Sequence, residues 1–202
     1  MYTRSGLKLI LAGLFGVIAF SLTVCADEVH IYEEDFDLQI PADPSSSQGW
    51  MIDAVIEVDS HLSISDIDVG ITLMHSNVFD LQITLQSPDG TTLCLNSYDP
   101  ESEFFEGADY SQTVFDDEAQ TDISQGEAPF TGRFRPDSAE GLEVFDGQDA
   151  CGPWRLQIYD AYHSDTGTLE SVALVITAPE PSTVILFMLG AALAAFLQPR
   201  RV

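Results

Sequence analysis

The sequence predicts an all-β fold, a jelly-roll-like antiparallel β-sandwich, flanked by two terminal apolar segments. Along much of the interior of the chain, apolar residues alternate with polar ones, which is the period of half-buried strands. Short polar turn sequences separate the alternating stretches, so two packed sheets of many short strands are expected. Helical spacing of apolar residues is sustained only in the terminal segments, which predict an N-terminal signal helix and a C-terminal hydrophobic helix.

Alternation and turn chemistry place the individual strands. Ser87-Pro88-Asp89-Gly90 is a strong hairpin signal and Ser164-Asp165-Thr166-Gly167 is a second one. The acidic stretch 97–125 has little apolar rhythm and is predicted to be one long loop that crosses the sandwich. Roughly eight strands are expected, and the clearest candidates cover residues 52–58, 66–73, 81–86, 91–95, 130–134, 154–159 and 168–177.

The N-terminus has the organisation of a secretory signal peptide, residues 1–26. Arg4 and Lys8 precede an uninterrupted apolar run, residues 9–20, and small residues lie near a predicted cleavage site after Ala26. A lipoprotein site at Cys25 is the alternative, although Val24 is bulkier than the residue such a site prefers.

The C-terminus, residues 179–202, combines three features in order: Pro179-Glu180-Pro181, an uncharged apolar stretch over residues 183–197, and Arg200-Arg201. This arrangement resembles the PEP-CTERM sorting signal of Gram-negative bacteria. The resemblance implies export, an inner-membrane intermediate held by a transmembrane segment, and cleavage near the triplet by an exosortase. The stretch of 15 residues is shorter than the roughly 20 that span a bilayer, which suits a removable or tilted anchor. An ordinary single-pass anchor is the alternative.

Without these segments, residues 27–178 fit one domain that is large enough to bury a core. The whole chain has a formal charge of −26, and removing the four basic residues and one acidic residue of the terminal segments leaves −29. The only cations that remain are Arg133, Arg135 and Arg155. Such a charge repels nucleic acid and anionic lipid surfaces and opposes compaction. Salt, cationic matrix components or divalent ions could offset it; alternatively, the acidity only keeps the protein soluble.

Two cysteines remain in residues 27–178. Because an exported protein meets an oxidising compartment, a disulfide between Cys94 and Cys151 is expected. Two separate buried thiols are the alternative.

Several segments together resemble the P domain, or Homo B domain, of proprotein convertases and bacterial subtilases. The resemblance implies a β-sandwich that stabilises a neighbouring protease and is not itself catalytic. Here no subtilase domain is seen before it, so a protease activity would be inherited from an absent domain. The segments that carry the resemblance are 71–75 (ITLMH), 80–91 (DLQITLQSPDGT), 113–119 (TVFDDEA), 130–136 (FTGRFRP), 152–160 (GPWRLQIYD) and 166–169 (TGTL).

No catalytic motif is present, and no catalytic residue is predicted. The sequence contains no G-x-S-x-G elbow, no H-E-x-x-H helix and no P-loop. His75, at a predicted strand end, is expected to have a structural hydrogen-bonding role.

Calcium is the expected cofactor, because some P domains of bacterial subtilases bind it and hard cations prefer six to eight oxygen ligands. The matching acidic positions are Asp80, Asp116, Asp117 and Asp160; Asp99, Glu101 and Glu103 could add ligands, and ordinary solvated acids are the alternative.

Three functions follow as hypotheses. The first is a non-enzymatic module of the cell surface or extracellular matrix that contacts exopolysaccharide or other matrix components. The second is a trans-acting stabiliser of a secreted subtilisin-like serine protease, and the third is a hydrolase with an unrecognised site. Aromatic residues that could stack on sugars, or instead pack in the core, are Trp50, Phe104, Phe105 and Tyr110.

Overall fold

In the part of the chain that the structure describes, ten strands build two sheets. The computed structural model describes residues 27–46, 48–98, 107–162 and 165–180, which lie within one compact unit, residues 26–182. The strands are β1 (Asp27–Ile40), β2 (Gly49–Trp50), β3 (Ala54–Val58), β4 (Asp66–His75), β5 (Leu81–Gln86), β6 (Thr92–Asn96), β7 (Tyr110–Phe115), β8 (Phe130–Phe134), β9 (Gly152–Asp160) and β10 (Gly167–Pro179). Within the described ranges, the helical elements are short 3-10 turns at Val78–Asp80, Ile123–Gln125 and Leu142–Phe145.

Sheet A has the order β1-β10-β4-β7-β8, and sheet B has the order β2-β9-β5-β6, with β3 also paired to β9. All pairs are antiparallel except β7–β8, which is parallel. The predicted all-β antiparallel fold is therefore confirmed, whereas jelly-roll connectivity stays a prediction.

The two sheets pack together because each strand is apolar on one side. In β4, Ile67, Val69, Ile71 and Leu73 are buried, and in β5 and β9 the same alternation buries every second residue. These side chains form one continuous core with those of β10. Trp154, fully buried, donates its indole N–H to the carbonyl oxygen of Ala150 at 2.9 Å, so its polar atom is satisfied inside the core.

One of the two predicted hairpins is confirmed. Gly90, with φ of 85°, closes the turn between β5 and β6, and the N–H of Ser87 donates to the carbonyl oxygen of Thr91 at 2.9 Å. The second prediction is wrong, because β9 and β10, the strands on either side of residues 164–167, belong to different sheets. Local turn chemistry indicates a change of direction but does not determine whether the chain stays in the same sheet.

The predicted loop over residues 97–125 is also wrong in part, since it contains β7. Tyr110, Thr113 and Phe115 are buried, but their spacing is three and then two residues. The register with β4 shifts at this place, and Gln112 has φ of 53°. This irregularity removes the period-two pattern from a strand that is central in sheet A.

β1 escaped prediction because apolar residues lie on both of its faces. Its less exposed residues, His30, Tyr32, Phe36, Leu38 and Ile40, do alternate, but Val29 and Ile31 on the other face are exposed apolar residues. It is an edge strand, and six of its fourteen residues are acidic. Charge on an edge strand is a common protection against edge-to-edge association, but it hides the strand from a search for alternating apolar residues.

The predicted disulfide between Cys94 and Cys151 is wrong: both residues are free, half-buried thiols. Cys94 on β6 pairs with Thr84, which pairs with Gln157 on β9, whereas Cys151 immediately precedes β9. Two strand spacings, about 10 Å, and six residues along the strand, about 20 Å, therefore separate the two cysteines. A disulfide requires Cα atoms within about 7 Å of each other.

The signal peptide, the apolar tail, Pro181, Arg200 and Arg201 lie outside the described residues, and the domain boundaries at 26 and 178 stay predictions. In the ranges that the structure describes, no helix has the length and apolar character to span a membrane.

Candidate functional site

A buried histidine–carboxylate pair lies where β4 ends and β9 ends. His75 is the last residue of β4 and Asp160 the last residue of β9, and both side chains are fully buried. His75 Nε2 lies 3.3 Å from Asp160 Oδ2, and His75 Nδ1 lies 2.8 Å from the carbonyl oxygen of Asn77. The backbone N–H of Tyr162 donates to Asp160 Oδ1 at 3.1 Å. Because both ring nitrogens have partners, His75 ties the end of sheet A to the end of sheet B.

A second buried carboxylate, Asp80, lies beside this pair, and its negative charge is only weakly compensated by the groups around it. It is 2% exposed and accepts a hydrogen bond from Asn77 Nδ2 at 3.1 Å. Burial and the nearby carboxylates of Asp165 and Asp160 raise the pKa of Asp80 to about 6. Asn77 Oδ1 is buried and has no hydrogen-bond partner. We call these four residues, His75, Asn77, Asp80 and Asp160, the histidine cluster.

The third buried carboxylate, Asp116, is another predicted calcium ligand and lies near the other end of β4. Arg133 donates from Nε to Asp116 Oδ2 and from Nη2 to Asp68 Oδ2. Burial would raise the pKa of Asp116, but the hydrogen bonds from Arg133 and from the backbone N–H of Glu118 outweigh it and lower that pKa. Asp116 is thus already compensated by a guanidinium group.

The four predicted calcium ligands therefore do not converge. Asp80 and Asp160 lie in the histidine cluster, whereas Asp116 is held with Asp68, and Asp68 and His75 are seven residues, about 23 Å, apart along β4. Asp117 accepts from the backbone N–H of Glu143 at 3.0 Å and lines a separate shallow depression. Across the described residues, no group of three or more His, Cys, Asp or Glu side chains is arranged to hold a metal ion.

A second histidine–carboxylate pair is on the surface: His61 Nδ1 lies 2.7 Å from Asp149 Oδ2, with both side chains more than half exposed. Within the described ranges, no serine, threonine or cysteine side chain hydrogen-bonds to a histidine ring. A Ser-His-Asp or Cys-His arrangement needs that contact, and His163 lies outside the described residues.

The aromatic candidates separate into core and surface. Tyr110 is buried and stacks on Phe130, with ring centroids 4.9 Å apart, so it belongs to the core. Trp50 is 54% exposed and lies beside Tyr159, with centroids 5.0 Å apart. Phe104 and Phe105 lie outside the described residues. An exposed aromatic pair is thus present, but it has a partner that the sequence did not indicate.

Sequence reasoning missed Asn77, Asp68 and Tyr159. The sequence did contain a signal for Asp68. In a strongly acidic domain with three arginines, each arginine is expected to pair with more than one carboxylate, as Arg133 does with Asp116 and Asp68. Asn77 and Tyr159 gave no such signal, since their roles depend on contacts between strands that are distant in sequence.

Comparisons with known proteins agree with both family resemblances that the sequence shows. The family model of the proprotein convertase P-domain matches residues 64–176, and that of the PEP-CTERM protein-sorting motif matches residues 177–201. A search of curated proteins found no match.

Two similar solved structures contain a serine protease of Aeromonas sobria. The crystal structure of the protease with its chaperone, ORF2, has 17% identity and a TM-score of 0.44, over 77% of this chain and 28% of that chain. The crystal structure of the protease has 19% identity and a TM-score of 0.44, over 76% of this chain and 27% of that chain. The present chain thus spans less than a third of the length of these proteins.

We expect Asp80→Asn to stabilise the full chain at pH 7.5 in the presence of a chelator. The folded-state pKa of about 6 lies above the ordinary value of 3.8, so the stabilisation by protonation is complete below about pH 4 and lost as the pH rises through 6. Because the asparagine side chain carries no charge, the variant does not lose this stabilisation, which amounts to as much as about 3 kcal/mol. Its amide oxygen still accepts the hydrogen bond from Asn77. Urea unfolding from pH 4 to pH 8 measures the difference.

Asp89→Asn, in the exposed β5–β6 turn, is the matched control and should follow the wild-type pH profile. An Asp80→Asn variant that is less stable than the wild type at pH 7.5 in chelator would show that the charged form of Asp80 stabilises the fold.

Proposed function

The chain belongs to the proprotein convertase P-domain family, and on that premise we propose that it is an exported, non-catalytic β-sandwich module of the cell surface or extracellular matrix. The observation that carries the proposal is the order of two matches: the P-domain match ends at residue 176 and the sorting-motif match begins at residue 177. The PEP-CTERM motif indicates export through a membrane-anchored intermediate in Gram-negative bacteria, with an exosortase-type enzyme as processing partner.

The placement of the two predicted processing sites supports this route. Asp27, the first residue after the predicted signal cleavage, pairs with Pro179, the first residue of the sorting triplet. Both sites therefore border one end of the β1–β10 ladder. Removal of both terminal segments would leave this ladder and the core beneath it intact, since β10 ends at Pro179 and Ala178 is its last buried residue.

The proposal that the module is non-catalytic is supported by the engagement of its titratable groups. Both nitrogens of His75 have partners, and Asp116 is bound to Arg133. His75 and Asp116 thus hold strand ends together and do not present a base or a nucleophile to a substrate.

A second candidate function, favoured by the family itself, is that of a trans-acting stabiliser of a separately encoded, secreted subtilisin-like serine protease. In this case a protease would co-purify with the surface-extracted protein and would lose thermal stability when this chain is deleted. Export without a co-purifying protease favours the matrix module.

If the chain is exported and sorted as proposed, both its N-terminus and its C-terminus are trimmed. Surface-extracted wild-type protein should begin at Asp27 and end near Pro179, whereas Glu180→Ala should keep the tail and remain in the membrane fraction, because the triplet that the processing enzyme recognises is altered. Intact-mass analysis of each cell fraction measures both ends, and Ser182→Ala serves as the neighbouring control. Full-length wild-type protein in the cytosol would contradict the proposal.

Calcium enters the proposal only at the histidine cluster. Asp116 and Asp117 do not fit a shared site, but Asp80 and Asp160 are neighbouring buried carboxylates, and the unpartnered oxygen of Asn77 lies in the same cluster. A hard cation that used Asp80, Asp160 and nearby carbonyl oxygens would compensate the charge of Asp80, which among the described side chains accepts a hydrogen bond from the amide of Asn77.

This proposal predicts that millimolar calcium raises the melting temperature of the full chain at pH 7.5 above its value in chelator. The increase should be lost in Asp80→Asn and kept in Asp89→Asn, because only the first variant removes a ligand. Identical melting curves of the wild type with calcium and with chelator would remove calcium from the account.

A further inference from the structure

The outer face of sheet B carries few carboxylates in an otherwise acidic protein, and the exception among its described strands is Glu57 of β3, which is exposed and lies opposite Pro153 of β9. The outward-facing residues of β5, β6 and β9 include no aspartate or glutamate in the described structure. The edge strand of sheet A, β1, shows the opposite, with six acidic residues in fourteen. The charge of the domain is therefore concentrated away from the sheet B face.

Rows of hydrogen-bonding side chains cover this face. Across neighbouring strands, Gln82 lies opposite Tyr159, Thr84 lies opposite Gln157, and Gln86 lies opposite Arg155. Amide and hydroxyl side chains both donate and accept, so they match sugar hydroxyl groups without a net charge. We define the amide face as Trp50, Gln82, Thr84, Gln86, Gln157 and Tyr159.

An aromatic platform borders the amide rows. Trp50, on edge strand β2, pairs with Tyr159 of β9, and the two rings are 5.0 Å apart and tilted by 49°. Trp50 is 54% exposed, whereas the other tryptophan, Trp154, is fully buried. A large aromatic ring held against a neighbour but open to solvent provides an apolar surface beside polar groups, which is the combination that a sugar ring with its apolar face and polar edge requires.

Among the described residues, the carboxylate that contacts the amide face is that of Asp53, which precedes β3. Asp53 Oδ2 accepts from Gln157 Nε2 at 3.3 Å and lies 3.7 Å from Arg155 Nη1. Arg155 thus offsets Asp53, and Glu57 of β3 lies farther along the border, opposite Pro153. The face extends about 10 Å across the three strands β2, β9 and β5 and about 13 Å along β5 from Gln82 to Gln86, which suits a stretch of a polymer more than a single small molecule.

We propose that the amide face binds an uncharged polysaccharide, with Trp50 and Tyr159 as the stacking platform. This inference rests on the proposed function, because it names the matrix component that the exported module contacts. The net charge of the domain repels a polyanionic polysaccharide, and a polycation would be drawn to the acidic β1 edge instead. Among glycans, a neutral chain is the one whose chemistry matches this face.

Affinity gel electrophoresis of the full chain tests the proposal, in a polyoxyethylene detergent that carries no sugar headgroup. Soluble hydroxyethyl cellulose, glucomannan and dextran are the neutral probes, and alginate is the polyanion. At least one neutral polymer should retard the wild type, and alginate should not. Trp50→Ala should weaken the retardation roughly 3- to 10-fold, as expected for loss of an aromatic contact.

Met74→Ala is the matched control, because Met74 is 52% exposed on sheet A and should leave binding unchanged. Trp50→Phe keeps an aromatic ring and should retain part of the binding, which separates loss of stacking from loss of fold. A blue shift of tryptophan fluorescence upon addition of polymer would report Trp50 directly, since Trp154 is already buried.

Three results would overturn the inference: no retardation by any neutral polymer, equal retardation of wild type and Trp50→Ala, or self-association that Trp50→Ala abolishes, which would make a second copy the occupant. None of these affects the sorting experiment. A chain that reaches the surface but binds no glycan would refute the amide face alone, and a chain that binds glycan but stays in the cytosol would refute the proposed function alone.

Discussion

The fold depends on keeping an apolar interior closed inside a shell of like charge. Residues 27–178 carry 32 carboxylates and three arginines, so mutual repulsion works against compaction. The two sheets oppose it with alternating strands whose inner faces bury aliphatic and aromatic side chains in one core. Among the described residues, the buried acids Asp80, Asp116 and Asp160 lie next to the core at strand ends, where an arginine, a histidine or an amide reaches each of them.

This constraint also divides the surface into regions of different character. Acidic residues crowd the exposed edge β1, where they discourage pairing with another strand. The outer face of β5, β6 and β9 instead carries amides, a hydroxyl and an aromatic pair. Such a face offers hydrogen-bonding and aromatic groups to a binding partner, and the sorting motif beside the last strand is consistent with work outside the cell.

Much of the fold could be predicted, because regular alternation is a local property. β5 and β8 have the predicted bounds, and the Gly90 turn lies where its sequence placed it. β7 could not be found in this way, since the irregularity at Gln112 breaks its period, and β1 was hidden by its acidic residues and by the exposed Val29 and Ile31. The proposed Cys94–Cys151 bridge failed because its geometry depends on the register of three strands. The site was predictable only as residue types, because the contacts of Asp80 with the His75 cluster and of Asp116 with Arg133 join strands that are distant along the chain.

The most direct test of the account is the free energy of unfolding of the full chain in urea as a function of sodium chloride concentration, at pH 7.5 with chelator. Between about 0.01 M and 0.15 M salt, the screening length falls from about 30 Å to about 8 Å, so repulsion among the carboxylates should weaken and the protein should become more stable. The Asp35→Asn/Asp37→Asn double variant of β1 should show a smaller increase. A free energy of unfolding that stays constant or falls with salt would contradict the claim that the core holds the fold together against its own charge.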